Sequence, residues 1–263
     1  MTAGAELDVD GLLLDMDGVL TVSWEPLPGA VDAVRRMRAA GFPLRILTGT
    51  TALSRARLAE HLRALGFGFA DEEVLAASVL AARYLRAERP GARVAHLGDA
   101  QAEDLWGVDL VGLGDAPDIV LLSGADDSFR FETFNVVLRL LLGGAELVAM
   151  HRNAVWATRD GPCLDTGAYL HGLERAAGCV AVVTGKPAPG SFAAAAAALG
   201  LPPGRVAMVG DDLEGDALAA ELAGMTGVLV RTGKFREDAL VRATARPAFV
   251  VDSVAAVQGL LGL

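Results

Sequence analysis

The chain has 263 residues, 52% of them hydrophobic and 21% charged, enough apolar material to bury one substantial core or two smaller ones and too much for intrinsic disorder. Its 33 Asp and Glu against 23 Lys and Arg give a net charge of −10, which repels a phosphate backbone and offers no broad basic footprint, so nucleic acid is not an expected partner. The longest stretch without a charged residue, Pro187–Gly204, has prolines at both ends and only a short Ala/Leu centre, and the first residues, MTAGAELDVDG, hold neither a basic region nor an apolar run. No membrane span and no secretory signal are expected, and the expected location is the cytoplasm.

Apolar runs alternate with helical patterns along the chain, the signature of an α/β fold built on a doubly wound, Rossmann-like parallel sheet. Gly11–Leu14 reads as a buried strand, and Pro28-Gly29-Ala30 opens a helix with Val31, Val34 and Met37 at helical spacing, ended by Gly41. Pro43–Leu47 is a second strand running into Thr48-Gly49-Thr50-Thr51, and Ser54–Leu65 is a helix closed by Gly66. A middle block places strands at Val94–Leu97, Ile119–Leu122 and Leu147–Met150 among helices near Val74–Glu88 and Phe131–Leu142. Asp160–Gly167 is a Gly/Pro-rich loop before a helix, and the alanine run Ala193–Ala198 is an ordinary helix. Beyond it, Arg205–Val209 is a strand, Gly215–Ala223 a helix, Gly227–Val230 a strand and Phe249–Val251 an edge strand. One sheet using every strand would be large for this length. The reading is therefore a main domain of residues 1–77 and 181–263 with a smaller α/β domain, residues 78–180, inserted into it.

The strongest local signal is LLLDMDGVLT, residues 12–21, where a buried strand ends in Asp15, Asp17 and Gly18. Ligands of open α/β sheets bind beyond the carboxyl ends of strands, and two carboxylates sharing such a crevice call for a hard divalent cation, Mg²⁺ above all. An Asx turn after a strand accounts for the same residues without chemistry. A second acidic cluster, Asp211, Asp212 and Asp216 in VAMVGDDLEGD, follows another strand. Asp216 reads equally as a helix cap or as a residue supporting a metal ligand, whereas Asp211 repeats the strand-end placement of Asp15. Thr48 and Gly49 offer a hydroxyl and open backbone N–H groups suited to phosphate, and Lys186 in VVTGKPAP offers a point charge, although a turn threonine or a surface lysine is the ordinary reading of each alone. Asp165 and Thr166 are candidate substrate-selecting residues, with a helix N-cap as the alternative. Trp24 either lines an entrance or covers the core. His61 and His96 read as structural or solvated, His151 and His171 lack ligand spacing, and Cys163 and Cys179 read as reduced thiols.

In order and context, DMDGVLT, ILTGT, GKP and GDDLEGD resemble the four motifs of the haloacid dehalogenase superfamily of aspartate-nucleophile phosphatases, a likeness that spans nearly the whole chain. The insert resembles that superfamily's type II cap. LPGAVDAVRRMRAAG, LLLGGAELVAMHRN, VTGKP and GVLVRTGKF resemble the branch of phospholysine phosphohistidine inorganic pyrophosphate phosphatase and its haloacid dehalogenase-like hydrolase relatives. That branch carries Asn after the motif threonine. Here the residue is Gly49, so a side-chain amide is lost while a backbone N–H remains.

The resemblance implies that Asp15 attacks phosphorus and becomes an aspartyl phosphate, and that Asp17 protonates the leaving group and then deprotonates water. It implies that Asp15, the Asp17 carbonyl and Asp211 hold Mg²⁺, that Asp212 or Asp216 fixes its waters, and that Thr48, Gly49 and Lys186 bind phosphate oxygens. The expected partner is a small phosphorylated molecule. A homodimer is a candidate assembly, with the Phe131–Leu142 helix as one surface, although a core helix reads identically. Alternative functions are a phosphotransferase using the same aspartyl phosphate, a receiver-like phosphoacceptor and a non-catalytic phosphate-binding member.

Overall fold

The computed structural model describes residues 6–158 and 161–263 and divides into two compact units. The first comprises residues up to Thr48, Ala56–Leu75 and Pro187–Leu263, and the second Gly49–Arg55 and Ala76–Lys186. Both are parallel α/β sheets with helices.

The first unit is organised on a six-stranded sheet in the order Phe249–Val251, Thr226–Val230, Val206–Gly210, Gly11–Leu14, Leu44–Thr48, Val74–Ala76, with parallel pairings from the first of these through Leu44–Thr48. Gly11–Leu14 and Val206–Gly210 are buried at every position, as strands covered on both faces must be. The chain winds outward from Gly11–Leu14 to one edge, then returns to its other side at Val206–Gly210. The switch point of the sheet therefore lies between these two strands, where an open α/β sheet forms its ligand crevice. Gly11, too small to obstruct, makes room for Leu201, whose Cδ1 would lie 2.6 Å from a Cβ at that position.

The second unit has its own five-stranded parallel sheet in the order Val182–Val183, Glu146–Ala149, Ile119–Leu122, Arg93–Leu97, Asp109–Val111. One face packs Val94, Ile119, Leu121 and Val148 against Ala81, Leu85 and Leu105. The other packs Val120, Leu122 and Leu147 against Val137, Leu141, Leu170 and Leu173.

Four local expectations change. Val74–Ala76 is a short edge strand and the helix starts at Ala77: a buried Val-Leu-Ala run after the turn at Asp71–Glu73 completes the sheet before the chain turns helical. Residues Leu213–Leu218 form a π-helix before the short α-helix Ala219–Leu222, replacing the regular helix expected over Gly215–Ala223. In place of half of the Asp160–Gly167 loop, Gly161–Leu164 pairs antiparallel with Val155–Thr158; Asp160 lies outside the described residues. Thr21–Val22 and Glu25–Pro26 form a hairpin where no strand is expected, its two turn residues Ser23 and Trp24 both at positive φ. Among the described residues no helix is long and apolar enough to cross a membrane.

Leu13 lies at the centre of the sheet with no exposed surface, whereas Leu222 is 85% exposed. Leu13→Ala should lower unfolding free energy by about 2–5 kcal/mol and Leu222→Ala by less than about 0.5 kcal/mol, as read by urea titration.

Candidate active site

At the end of Gly11–Leu14 the Asp15 N–H donates to the Val209 carbonyl at 2.9 Å, so the ladder to the neighbouring strand continues until the aspartate leaves the sheet. The chain then turns tightly: the N–H groups of Leu20 and Thr21 both donate to the Met16 carbonyl, and Gly18 N–H donates to the Thr21 carbonyl at 2.7 Å. Gly18 adopts φ +82°, and a Cβ there would lie 1.9 Å from Asp211 Oδ2. Only glycine permits this approach.

Asp211 leaves the adjacent strand Val206–Gly210. The π-helix that follows turns Asp216 back towards the same strand end, where a Cβ on Gly210 would lie 2.2 Å from that of Asp216. One carboxylate oxygen from each of Asp15, Asp211 and Asp216 lies within 4.8 Å of the others, and all three residues are buried. Asp211 Oδ2 accepts from the Lys234 N–H at 2.6 Å, whereas its Oδ1 is buried with no hydrogen-bond partner among the described residues. Burial, reinforced by the charge of Asp15, pushes the Asp211 carboxyl up to about 7. Three crowded carboxylates with one oxygen unsatisfied fit a hard divalent cation with oxygen ligands.

The remaining candidates are placed as follows. Asp17 stands outside this cluster, its backbone bridged to Thr21. Asp212 turns its carboxylate to the helix start, accepting from Glu214 N–H at 3.1 Å and Gly215 N–H at 2.9 Å, while Asp216 Oδ2 accepts from Asp212 N–H at 3.2 Å. Thr48 is buried at the end of its strand in the first unit. Gly49 and Lys186 belong to the second unit, where a Cβ on Gly49 would meet Asn153 Nδ2 at 3.7 Å. Asp165 caps the helix Thr166–Ala177, its Oδ1 accepting from Thr166 N–H at 2.8 Å and Ala125 N–H at 3.1 Å, and the buried Thr166 hydroxyl donates to the Ser123 carbonyl. Trp24 meets His61 edge to face at 5.1 Å, and His61 Nε2–H donates to its carbonyl at 3.0 Å. His96 lies 2.9 Å from Ser123 Oγ, and burial holds its pKa below the ordinary value. Nearby, Thr51 Oγ1 donates to Asp99 at 2.6 Å, and burial raises the Asp99 carboxyl.

Sequence reasoning missed two contributors. Gly210 matters only through the close return of Asp216, which depends on the π-helix. The Thr232–Lys234 loop was visible only as part of GVLVRTGKF, with nothing to connect it to Asp211.

A doubly wound parallel sheet that gathers aspartates beyond the exits of two adjacent strands at its switch point has the architecture of a hydrolase with a carboxylate-based site. The chain belongs to the haloacid dehalogenase-like hydrolases. The haloacid dehalogenase-like hydrolase pattern matches residues 12–107, and a second pattern of the same class, HAD-hydrolase-like, matches residues 183–257. Haloacid dehalogenase-like hydrolase domain-containing protein 2 of Rattus norvegicus is 35% identical over 86% of this chain and 85% of its own length. Phospholysine phosphohistidine inorganic pyrophosphate phosphatase of Danio rerio is 34% identical over 96% of this chain and 94% of its own. Among solved structures, a p-nitrophenyl phosphatase from Archaeoglobus fulgidus superposes with a TM-score of 0.89 at 29% identity, covering 96% of this chain and all of the other.

The Asp165 carboxylate satisfies two backbone N–H groups from a buried position. Asp165→Ala should therefore cost about 1–2 kcal/mol of stability, measured by denaturant titration.

Proposed function

We propose that this chain is a Mg²⁺-dependent phosphatase of small phosphorylated compounds that works through an aspartyl phosphate on Asp15. The observation that carries this reading is the convergence of Asp15, Asp211 and Asp216 within 4.8 Å, with Asp211 Oδ1 buried and unsatisfied. The phosphatase names of the Danio rerio relative and the Archaeoglobus fulgidus neighbour support the reaction class.

Asp15 and Asp211 would hold the ion with the Asp17 carbonyl, and Asp216 would support it, the Asp212 carboxylate being engaged as the helix cap. A bound Mg²⁺ supplies charge neutralisation at the transferring phosphoryl group. In the first half-reaction an Asp15 carboxylate oxygen forms a bond to phosphorus while the bond from phosphorus to the leaving oxygen breaks. The Asp17 carboxyl gives that oxygen its proton. In the second half-reaction Asp17 takes a proton from water, the water oxygen bonds to phosphorus, and the bond between Asp15 and phosphorus breaks, releasing inorganic phosphate and restoring both aspartates. Thr48, the Gly49 N–H and Lys186 are assigned to the nonbridging oxygens, an assignment supported by the order of the four motifs. On the same reading residues 1–77 and 181–263 are the catalytic core, residues 78–180 a cap that governs access, and the cytoplasm is the working compartment.

Hydrolysis of an activated aryl phosphate by the purified protein should require Mg²⁺ and disappear on EDTA treatment. Asp15→Asn should abolish turnover, whereas Asp17→Asn should still form a phosphoenzyme from a substrate with a good leaving group. Full activity in EDTA, or a phosphoryl group trapped on a residue other than Asp15, overturns the proposal.

A further inference from the structure

The exit of a third strand, Thr226–Val230, also reaches the carboxylate cluster, and no role in the proposed chemistry has been given to it. Its loop, Arg231–Lys234, is tied down at both ends. Arg231 N–H donates to the Val251 carbonyl at 2.9 Å, Phe235 N–H closes a turn on the Thr232 carbonyl at 3.1 Å, and the Arg231 guanidinium lies 5.1 Å from the centre of the Phe235 ring. Between these anchors the loop touches both acidic strand exits. Lys234 N–H donates to Asp211 Oδ2 at 2.6 Å, and the Thr232 hydroxyl donates to the Gly18 carbonyl. Gly233 sits at φ +59°, where a Cβ would lie 2.0 Å from Asp211 Oδ2 and 2.5 Å from Gly18 Cα. The Asp211 carboxylate is thus enclosed by two glycines, Gly18 and Gly233, with no room for a side chain on either.

We infer that Thr232, Gly233 and Lys234 form a positioning loop for the metal centre: they fix the Asp211 carboxylate, engaging Oδ2 with the Lys234 N–H and leaving Oδ1 unengaged by hydrogen bonds among the described residues, while Thr232 locks the turn that carries Asp17. The inference rests on the proposed metal-dependent reading of that cluster. Its physical content is preorganisation. A carboxylate whose rotamer is set by a backbone N–H and by close backbone on two sides is held as a one-oxygen ligand, and ordering it before the cation arrives removes part of the cost of binding. Thr232 acts at one remove, because its hydroxyl holds Gly18, and Gly18 is the surface against which Asp211 rests.

Mg²⁺ titration by calorimetry into the full-length, EDTA-stripped protein tests this without reference to turnover. Thr232→Val should weaken Mg²⁺ binding by about tenfold or more while leaving the melting temperature of the metal-free protein unchanged, and Thr232→Ser should restore the affinity. Gly233→Ala should weaken it at least as much; if that variant does not fold, the Thr232 pair decides. Unchanged affinity in Thr232→Val, a loss matched by a fall in metal-free melting temperature, or failure of serine to rescue overturns the positioning role. Wild-type protein that takes up no Mg²⁺ at all contradicts instead the reading of the cluster as a metal centre.

Discussion

Three buried carboxylates held within 4.8 Å of one another set the terms for the architecture around them. Like charges at that separation repel strongly where the effective dielectric is low, and the unsatisfied Asp211 Oδ1 adds a desolvation cost. The fold tolerates this by supplying rigid backbone. Asp15 and Asp211 leave adjacent strands of one ladder, Asp216 is turned in by a π-helix, and Gly18, Gly210 and Gly233 let main chain and carboxylate approach where any Cβ would collide. On the proposed reading such a cluster stores unfavourable energy that a divalent cation would relieve, and strain kept at a site by its surroundings is a common property of functional centres.

Much of this was legible in the amino-acid sequence because it depends on local rules. GLLL followed by Asp15 reads as a buried strand with a carboxylate at its exit, and VAMVG followed by Asp211 repeats the pattern, so the two halves of the site follow from hydropathy and strand-end logic. The α/β class and the helices at Ala30–Ala39, Arg55–Ala64 and Phe131–Leu142 likewise follow from apolar spacing. What was hidden depends on tertiary contacts. Asp216 looks like an ordinary cap unless the extra residue in the turn of the π-helix is known, while Asp212, its neighbour in the same acidic run, is the side chain that actually caps. Val74–Ala76 has too few residues to announce a strand and becomes one by completing a sheet edge. Lys234 acts through its backbone N–H, which no side-chain pattern encodes.

The second unit repeats the α/β design with different polar groups at its strand exits: Asp99 after Arg93–Leu97, Ser123 after Ile119–Leu122 and His151 after Glu146–Ala149. Here hydroxyls and backbone amides serve the carboxylates. Thr51 donates to Asp99, and the Ala125 and Thr166 N–H groups donate to Asp165, so each of these two carboxylates meets a donor of its own unit. The difference is one of crowding: Asp211 and Asp216 also accept backbone N–H groups, but they converge with Asp15 within 4.8 Å, and that closeness is what the proposed cation would offset.

The most direct measurement of that claim is the melting temperature of the wild-type protein and of Asp15→Asn, each with EDTA and with saturating Mg²⁺. Relief of carboxylate repulsion predicts that Mg²⁺ raises the wild-type melting temperature, by the equivalent of about 2.7 kcal/mol at a hundredfold excess over the dissociation constant, whereas in EDTA Asp15→Asn melts at or above the wild type and gains little from Mg²⁺. A wild-type melting temperature indifferent to Mg²⁺, together with an Asp15→Asn protein less stable than the wild type in EDTA, would contradict the account.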